Sequence, residues 1–163
     1  MPDKNLRRKF IKIESLEEVE IARKLNERTD PEGLRLKRFL AMPDLSRMPG
    51  NPLYEIVQRV LAWPAFKNFD VIQVPEIAST EISFDLFDFP ADHPVRSRSD
   101  TYYVDDKNIL RTHTTVMWYY YLKDESIKKR MAAGESVGAF CFGKVYRRDE
   151  LDRTRGGRAH AGA

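Results

Sequence analysis

Apolar residues in the first part of the chain recur at the spacing of helix faces. Between residues 15 and 29, the apolar positions largely on one side of a helix are Leu16, Val19, Ile21 and Leu25. Ser15 and Glu18 form a capping box, in which each side chain can accept the other's backbone N–H. Pro31 ends this helix because a proline pushes the preceding residue out of the helical region. Asp30 and Pro31 can then open a second, short helix.

A third helix is predicted to begin at Asn51, which supplies the cap, with Pro52 in its first turn. Its apolar face is formed by Leu53, Ile56, Val57, Val60 and Leu61. Pro64 stops it. Residues 1–13 are basic and are expected to be frayed.

The middle of the chain favours strands. Residues 69–77 are rich in β-branched side chains and predict a strand that ends at Pro75, since proline cannot donate to a sheet ladder. Residues 79–89 fit either a short helix or a loop. Residues 100–104 and 108–113 predict the two strands of a β-hairpin, because "DDKN" between them is typical of a turn.

The last part of the chain adds one helix and one strand. Residues 114–122 predict a helix, although their aromatic side chains also suit a strand. Residues 137–150 predict a long strand, one face of which carries Val137, Ala139, Cys141, Val145, Arg147 and Asp149. Residues 155–163 are small, basic and expected to be unstructured. Together these elements predict one α+β domain with a mostly antiparallel sheet and flanking helices.

Composition narrows the class of protein. The 163 residues are 42% hydrophobic and 33% charged, as in a globular protein, and no apolar run approaches the roughly 20 residues of a membrane span. The N-terminus lacks the apolar segment of a secretory signal. Cys141 is the single cysteine, so neither a disulfide framework nor a zinc motif is predicted. We expect a soluble, cytoplasmic protein without membrane contact. The net charge of +3 fits either a polyanion partner or a well-solvated surface.

The first candidate site lies in "LRTHTT", where Arg111 and His113 are two residues apart on a predicted strand and therefore face the same way. Thr114 or Thr115 can cap the helix that follows, and a helix N-terminus beside a histidine suits an anion or a carboxylate. A histidine at a strand end is, however, more often a structural residue with satisfied hydrogen bonds.

The second candidate is "GKVYRRDELDRT", in which Arg147 and Asp149 share one strand face. Arginine suits phosphate because its planar fork donates two hydrogen bonds at once. The alternative is an exposed strand end with weak surface ion pairs. A third candidate, a metal site at Asp88, Asp92 and His93, has no recognised ligand spacing and also fits a surface loop. Glycine-rich phosphate loops and hydrolase motifs are absent from the sequence.

Three blocks of the sequence resemble, in order and spacing, the α subunit of phenylalanine–tRNA ligases. They are "FPADHPVRSRSDTYYV", "ILRTHTT" and "GKVYRRDELDRT". The helix from Asn51 and the strand ending at Pro75 are similar to the first motif of class II synthetases. The resemblance covers roughly residues 50–154. It implies that "FPADHP" belongs to an ordered loop leading into the active-site sheet, which Pro90 and Pro94 stiffen and in which acids and arginines pair locally.

The resemblance implies ATP-dependent activation of phenylalanine and its transfer to tRNA. Arg147 matches the arginine of the second class II motif, which binds the α-phosphate of ATP and stabilises its charge during the reaction. Asp149 matches an acidic residue near the amino acid or the adenylate. His113 and Thr115 match a histidine and a serine near the substrate. ATP with Mg²⁺ and a β subunit forming a heterotetramer are also implied, although no Mg²⁺ ligands are identifiable in the chain.

The sequence departs from the family after Thr154. Arg155 stands where the family has a histidine, and the returning strand of motif two, motif three and the phenylalanine-pocket aromatics do not follow. We therefore expect a truncated or frameshifted copy that makes no adenylate alone at useful rates. Its expected organisation is a helical region with a linker over 1–50, a partial catalytic domain over 51–154 and a tail over 155–163.

Two alternatives of other classes stay open at this point. A non-catalytic synthetase-like module could bind RNA or a partner protein through its basic ends, independently of base sequence. The side chains concerned are Lys4, Arg7, Arg8, Lys9, Arg147, Arg148, Arg153, Arg155 and Arg158. An interface-only role would use self-association through the predicted helix 51–61.

Overall fold

The computed structural model of the chain describes residues 8–148. Helices and strands are mixed along this range, which confirms the α+β class. The strands are β1 (Phe10–Lys12), β2 (Asp70–Gln73), β3 (Ile77–Ser79), β4 (Asn108–Leu110) and β5 (Ala139–Phe140). The helices are α1 (Leu16–Glu27), α2 (Pro31–Ala41), α3 (Pro52–Ala62), α4 (Thr80–Ser83), α5 (Met117–Lys123) and α6 (Glu125–Ala132). None of the described helices is both long and apolar enough to cross a membrane.

Two small sheets hold the strands of residues 8–148. In the first, β1, β2 and β5 are all parallel, with β2 in the centre and Ile11 opposite Ile72. In the second, β3 and β4 are antiparallel, with Ala78 opposite Ile109. The expected mostly antiparallel sheet is therefore not confirmed. The central strand has three consecutive buried residues, Asp70, Val71 and Ile72, and near-continuous burial is typical of a parallel sheet covered on both faces.

The N-terminal residues also differ from the prediction. Residues 8–13 were expected to be frayed, but β1 pairs with β2, and Ile13 N–H donates to the Gln73 carbonyl at 2.9 Å. Arg8 anchors the start of this segment by donating to the carbonyls of Leu61, Phe66 and Phe69 at 2.7–2.8 Å. The basic side chain thus serves the fold, because backbone carbonyls at the end of α3 and in the turn after it need donors.

The three predicted N-terminal helices are confirmed. Ser15 caps α1 by accepting the Glu18 N–H at 3.2 Å. The reciprocal half of the capping box is absent, because the Glu18 carboxylate accepts instead from the backbone of Glu76 at 2.9 Å and of Ile77 at 3.1 Å. Burial raises the pKa of Glu18, while these N–H donors oppose that shift. The side chain that should have capped α1 therefore ties α1 to β3.

The C-terminal half follows the prediction less closely. The expected hairpin is reduced to an isolated bridge between Tyr103 and Ile109, and β4 forms its ladder with β3 instead. The long strand expected over 137–150 contains only β5 within the described residues. Gly143 interrupts it, since a backbone with φ of 146° lies outside the strand region. The helix predicted over 114–122 is confirmed as a 3₁₀ turn followed by α5.

Two buried clusters form the core. One joins the parallel sheet to α5 and α6 and consists of Ile72, Val74, Val116, Met117, Tyr121, Ile127 and Ala139. The other joins α1 and α2 to the antiparallel pair and consists of Leu25, Leu36, Ile77, Val104, Leu110 and Tyr146. Tyr146 belongs to the second cluster. The backbone that leads to Arg147 is therefore anchored in the core.

Candidate functional site

The proline-rich segment between α4 and β4 is held in place by its own hydrogen bonds. His93 Nδ1 accepts the Val95 N–H at 3.1 Å and so starts a 3₁₀ turn over Pro94–Arg96. The fully buried Thr101 donates its hydroxyl to the Val95 carbonyl at 2.6 Å. Tyr103 donates its hydroxyl to the carbonyl of Arg96 at 2.7 Å. These bonds fix a segment that has almost no regular structure.

The acids and arginines of this segment do pair locally, as its composition suggested. Arg96 contacts Asp85 at 2.7 Å and lies over the buried ring of Phe84, 5.2 Å from its centroid. Arg98 contacts Asp106 at 2.8 Å. The first pair anchors the segment to the core, whereas the second is exposed and contributes little to stability.

A cleft of about 350 Å³ opens beside this segment. Its walls are residues 93–95 with Asp100, the pair Thr112 and His113, and the pair Tyr146 and Arg147. The volume lies at the small end of the range for small-molecule sites. The cleft thus brings together side chains from three separate parts of the sequence.

His113 is held in one orientation by its two contacts. Its Nε2 lies 3.1 Å from the Ser83 carbonyl oxygen, which can only accept, so Nε2 carries the proton. Its Nδ1 lies within hydrogen-bond distance, 2.5 Å, of the Thr115 hydroxyl. The ring also packs edge-on against Phe87, with centroids 5.3 Å apart. The imidazole is thus fixed in orientation.

The predicted site residues do not all reach the cleft. His113 and Arg147 line it, and Arg147 is exposed there. Thr115 is exposed and contacts His113 but is not part of the wall. Asp149 lies outside the described residues. The structure therefore places the histidine and the arginine at one site and leaves the role of the acidic residue a prediction.

Arg111 does not share the environment of His113, which corrects the sequence-based expectation. Its side chain is 3% exposed and donates to the carbonyls of Val74 at 2.9 Å and Lys144 at 2.8 and 2.9 Å. The chain leaves the strand geometry after Leu110, so the period-2 argument fails at residues 111–113. The expected threonine cap is also wrong, since α5 begins after Val116 without a side-chain cap.

A second set of contacts anchors the segment that carries Arg147. The Tyr146 hydroxyl donates to Glu76 Oε2 at 2.5 Å, and Lys144 Nζ lies 3.0 Å from the same oxygen. Lys144 Nζ also donates to the carbonyls of Leu40 at 2.8 Å and Met42 at 2.7 Å, at the C-terminal end of α2. Burial, reinforced by the bond to Glu76, raises the pKa of Tyr146. The phenol stays protonated and acts as a structural donor.

Six wall residues were missed by sequence reasoning as members of this site: His93, Pro94, Val95, Asp100, Thr112 and Tyr146. All six lie inside the sequence blocks that carry the family resemblance, so membership in those blocks was the available signal. The metal site considered at Asp88, Asp92 and His93 is not supported. Within residues 8–148, no group of three or more His, Cys, Asp or Glu side chains is placed to hold a metal ion.

The helix α3, the strand β2, which ends two residues before Pro75, and the cleft with its histidine and exposed arginine agree with the class II synthetase-like core that the sequence blocks indicate. The family model described as "tRNA synthetases class II core domain (F)" matches residues 39–160. The chain belongs to this family.

Individual relatives agree with the family assignment. The α subunit of phenylalanine–tRNA ligase from Mycoplasmoides gallisepticum is 36% identical over 117 residues, which are 71% of this chain and 33% of that protein. The same subunit from Nostoc punctiforme is 34% identical over 117 residues, with 71% and 33% covered. That from an Exiguobacterium species is 27% identical over 145 residues, with 88% and 38% covered. The chain thus spans about a third of the length of these relatives.

Proposed function

We propose that the chain provides part of the amino-acid-activating site of a phenylalanine–tRNA ligase α subunit and forms no adenylate alone at useful rates. The observation that carries this proposal is the shared cleft of His113 and Arg147, the two residues that the family resemblance assigns to substrate and ATP. The names of the relatives supply the substrate, phenylalanine. We also propose a cytoplasmic location, because the relatives are tRNA ligases.

The proposed reaction transfers the adenylyl group of ATP to the carboxylate of phenylalanine. A carboxylate oxygen of phenylalanine attacks the α-phosphorus, the bond from that phosphorus to pyrophosphate breaks, and its electron pair leaves with the pyrophosphate. Arg147 donates hydrogen bonds to the α-phosphate oxygens and offsets the charge that develops on them. Catalysis of this kind depends on positioning, and the anchoring of Tyr146 to Glu76 supports it.

His113 is proposed to form a fixed wall for the substrate, because both of its ring nitrogens already have partners. Thr115 holds the His113 ring in place through its hydrogen bond to Nδ1 and so acts on the substrate through it. Asp149 stays a proposed contact of the amino acid or the adenylate. Mg²⁺ is proposed to enter with the ATP phosphates, as it commonly does. The described residues offer no ligand set for it, and we assign no step to a protein-bound metal.

We further propose that the assembled enzyme binds tRNA and a β subunit, and that α3 takes part in self-association. None of the residues of α3 is buried, and Ile56 is 56% exposed on it. An apolar helix face that stays partly exposed among the described residues is typical of an interface.

Isothermal titration of the purified chain with ATP and with phenylalanine tests the proposed site. Arg147→Ala should weaken ATP binding by about 10-fold or more, the usual effect of losing a charge-assisted hydrogen bond. Arg23→Ala is the matched control, since Arg23 is exposed on α1 and pairs only with Glu20 and Glu27 among residues 8–148. Absence of ATP and phenylalanine binding by a chain that circular dichroism shows to be folded would refute the proposal.

A further inference from the structure

We infer that Arg111 is a positioning residue of the candidate site, which holds the segment bearing Arg147 against the segment bearing His113. This inference rests on the proposed function, because it takes Arg147 as the contact of ATP. Arg111 is 3% exposed and lies outside the wall of the cleft as the described residues form it, so it acts on a ligand through other residues. Its burial also rules out the direct anion contact that the sequence suggested.

The guanidinium group of Arg111 joins two stretches of backbone that are far apart in the sequence. Its Nε and Nη2 donate to the Lys144 carbonyl at 2.9 and 2.8 Å. Its Nη1 donates to the Val74 carbonyl at 2.9 Å and to the Pro75 carbonyl at 3.3 Å. One rigid, planar group therefore holds the residues that follow β2 and the segment that leads to Arg147.

The backbone of Arg111 continues the same connection. Its N–H donates to the Glu76 carbonyl at 2.9 Å, and its carbonyl oxygen accepts the Tyr146 N–H at 3.0 Å. Tyr146 directly precedes Arg147, and His113 follows Arg111 by two residues. A shift of Arg111 would therefore change the position of one cleft residue relative to the other.

Gly143 leaves room for this guanidinium group. Its φ is 146°, and a Cβ built on it would lie 2.8 Å from Arg111 Nη2. The backbone thus passes the guanidinium group at a distance and in a conformation that favour glycine. The chain directly before Lys144 is shaped to receive the side chain of Arg111.

Stability alone does not account for an arginine at this position. Burying a cation costs free energy, and a well-packed apolar side chain of similar volume often stabilises a fold as well or better. An apolar side chain or a lysine lacks the planar fork, whose donors point in fixed directions. The four hydrogen bonds of the Arg111 side chain use that fork to fix two backbone segments relative to each other, as a preorganised site requires.

A double-mutant cycle on ATP binding tests this inference. Arg111→Lys keeps the charge and loses the fork, so it should weaken ATP binding, measured by isothermal titration, at least about fivefold. In the Arg147→Ala background the same substitution should change ATP binding less than about twofold, because the residue through which Arg111 acts is already missing. A role in stability alone would give the same factor in both backgrounds.

Ile127→Ala is the matched control for lost stability. Ile127 is fully buried on α6, and its truncation leaves a cavity in the core cluster beside the parallel sheet. α6 contributes no side chain to the cleft wall that the described residues form. Ile127→Ala should therefore lower the midpoint of urea unfolding and leave ATP binding by the folded chain within about twofold of wild type.

The remaining outcomes each contradict the inference. Unchanged ATP binding by a folded Arg111→Lys chain overturns it and leaves the proposed function standing. Equal factors in both backgrounds, or an equal loss with Ile127→Ala, show that Arg111 serves stability alone. A folded wild-type chain that does not bind ATP overturns the proposed role of Arg147 together with this inference.

Gly143→Ala covers the case in which Arg111→Lys does not fold. The added methyl group would push the guanidinium group out of its place without removing it. ATP binding should again weaken at least about fivefold, and less than about twofold in the Arg147→Ala background. Wild-type affinity for ATP in the Gly143→Ala chain would contradict the inference without any change to Arg111.

Discussion

Replacing Tyr146 with phenylalanine removes one hydroxyl group that supports the candidate site and leaves the aromatic ring in place. That hydroxyl donates to Glu76 Oε2 at 2.5 Å, and the tyrosine is 8% exposed. A hydrogen bond to a charged group contributes about 1.5–3 kcal/mol to the free energy of unfolding. Lys144 stays 3.0 Å from the same oxygen, so Glu76 is not left unpaired and we expect about 2 kcal/mol.

Tyr103→Phe is the matched control for this prediction. Its hydroxyl donates at 2.7 Å to a neutral acceptor, the carbonyl of Arg96, so its loss should cost only about 1 kcal/mol. Urea unfolding followed by circular dichroism measures both variants. In thermal unfolding, the Tyr146→Phe loss corresponds to a fall in Tm of roughly 3–12 °C for a chain of this size.

The pH dependence of the free energy of unfolding distinguishes the hydrogen bond between Tyr146 and Glu76 from a contribution of packing alone. The pKa of Tyr146 is raised in the folded chain by burial and by Glu76, whereas a tyrosine in the unfolded chain titrates near about 10. A raised folded pKa means that the stability is present below pH ~10 and is lost as the pH rises above it. The difference between wild type and Tyr146→Phe should therefore be constant from pH 7 to 9 and shrink above pH 10. Equal destabilisation by Tyr146→Phe and Tyr103→Phe, with no change above pH 10, would refute this reasoning.

Three further predictions concern the core. Asp70→Asn should lower the free energy of unfolding, measured in urea, by about 3 kcal/mol. The reason is that the carboxylate of Asp70, a residue that is 1% exposed, pairs with Arg130 at 2.6 Å. A loss below about 1 kcal/mol would contradict this. Gly143→Ala should lower the free energy of unfolding by more than about 1 kcal/mol. The backbone of Gly143 has a φ of 146°, and an added Cβ would lie 2.8 Å from Arg111 Nη2. An unchanged Tm would show that the substitution introduces no strain. Burial raises the pKa of Tyr120 to about 12, so ultraviolet titration of the folded chain should show a phenol still protonated at pH 11.

The sequence predicted the N-terminal helices well because their signals are local. Asn51, for example, accepts the Leu53 N–H at 3.0 Å as a cap residue should, and Asp30 does the same for Gly33 at 3.0 Å. The central strand was equally clear from its β-branched run. Such features depend on residues within one helical turn or one strand, so they survive without knowledge of the fold.

Features that depend on distant partners could not be predicted. β1 is three residues long and its sequence, "FIK", carries no periodicity, so only its pairing with β2 makes it a strand. α6 was missed because Ile127 is its single buried residue, which leaves almost no apolar pattern. Arg111 was misjudged because its acceptors, such as the carbonyl of Lys144, are 33 residues away.

The candidate site shows the same division. His113 and Arg147 were assigned to a site by family resemblance. The residue pattern alone had left open whether they are functional or ordinary structural and surface residues. Asp100 was not singled out, because an aspartate in a polar loop has no distinctive spacing.

Residues of α1 and α2, most of which precede the family match, contribute directly to the support of the site. Glu32 on α2 contacts Arg148 at 3.1 Å, and the carbonyls at the end of α2 hold Lys144. Glu18 on α1 accepts from the backbone just after Pro75. The contacts of Glu32 and of the α2 carbonyls hold the segment that presents Arg147 to α2, and the contact of Glu18 holds α1 to Glu76, which accepts from Tyr146. Substitutions in α1 and α2 should therefore change ligand binding in the cleft through positioning, although none of their side chains lines it.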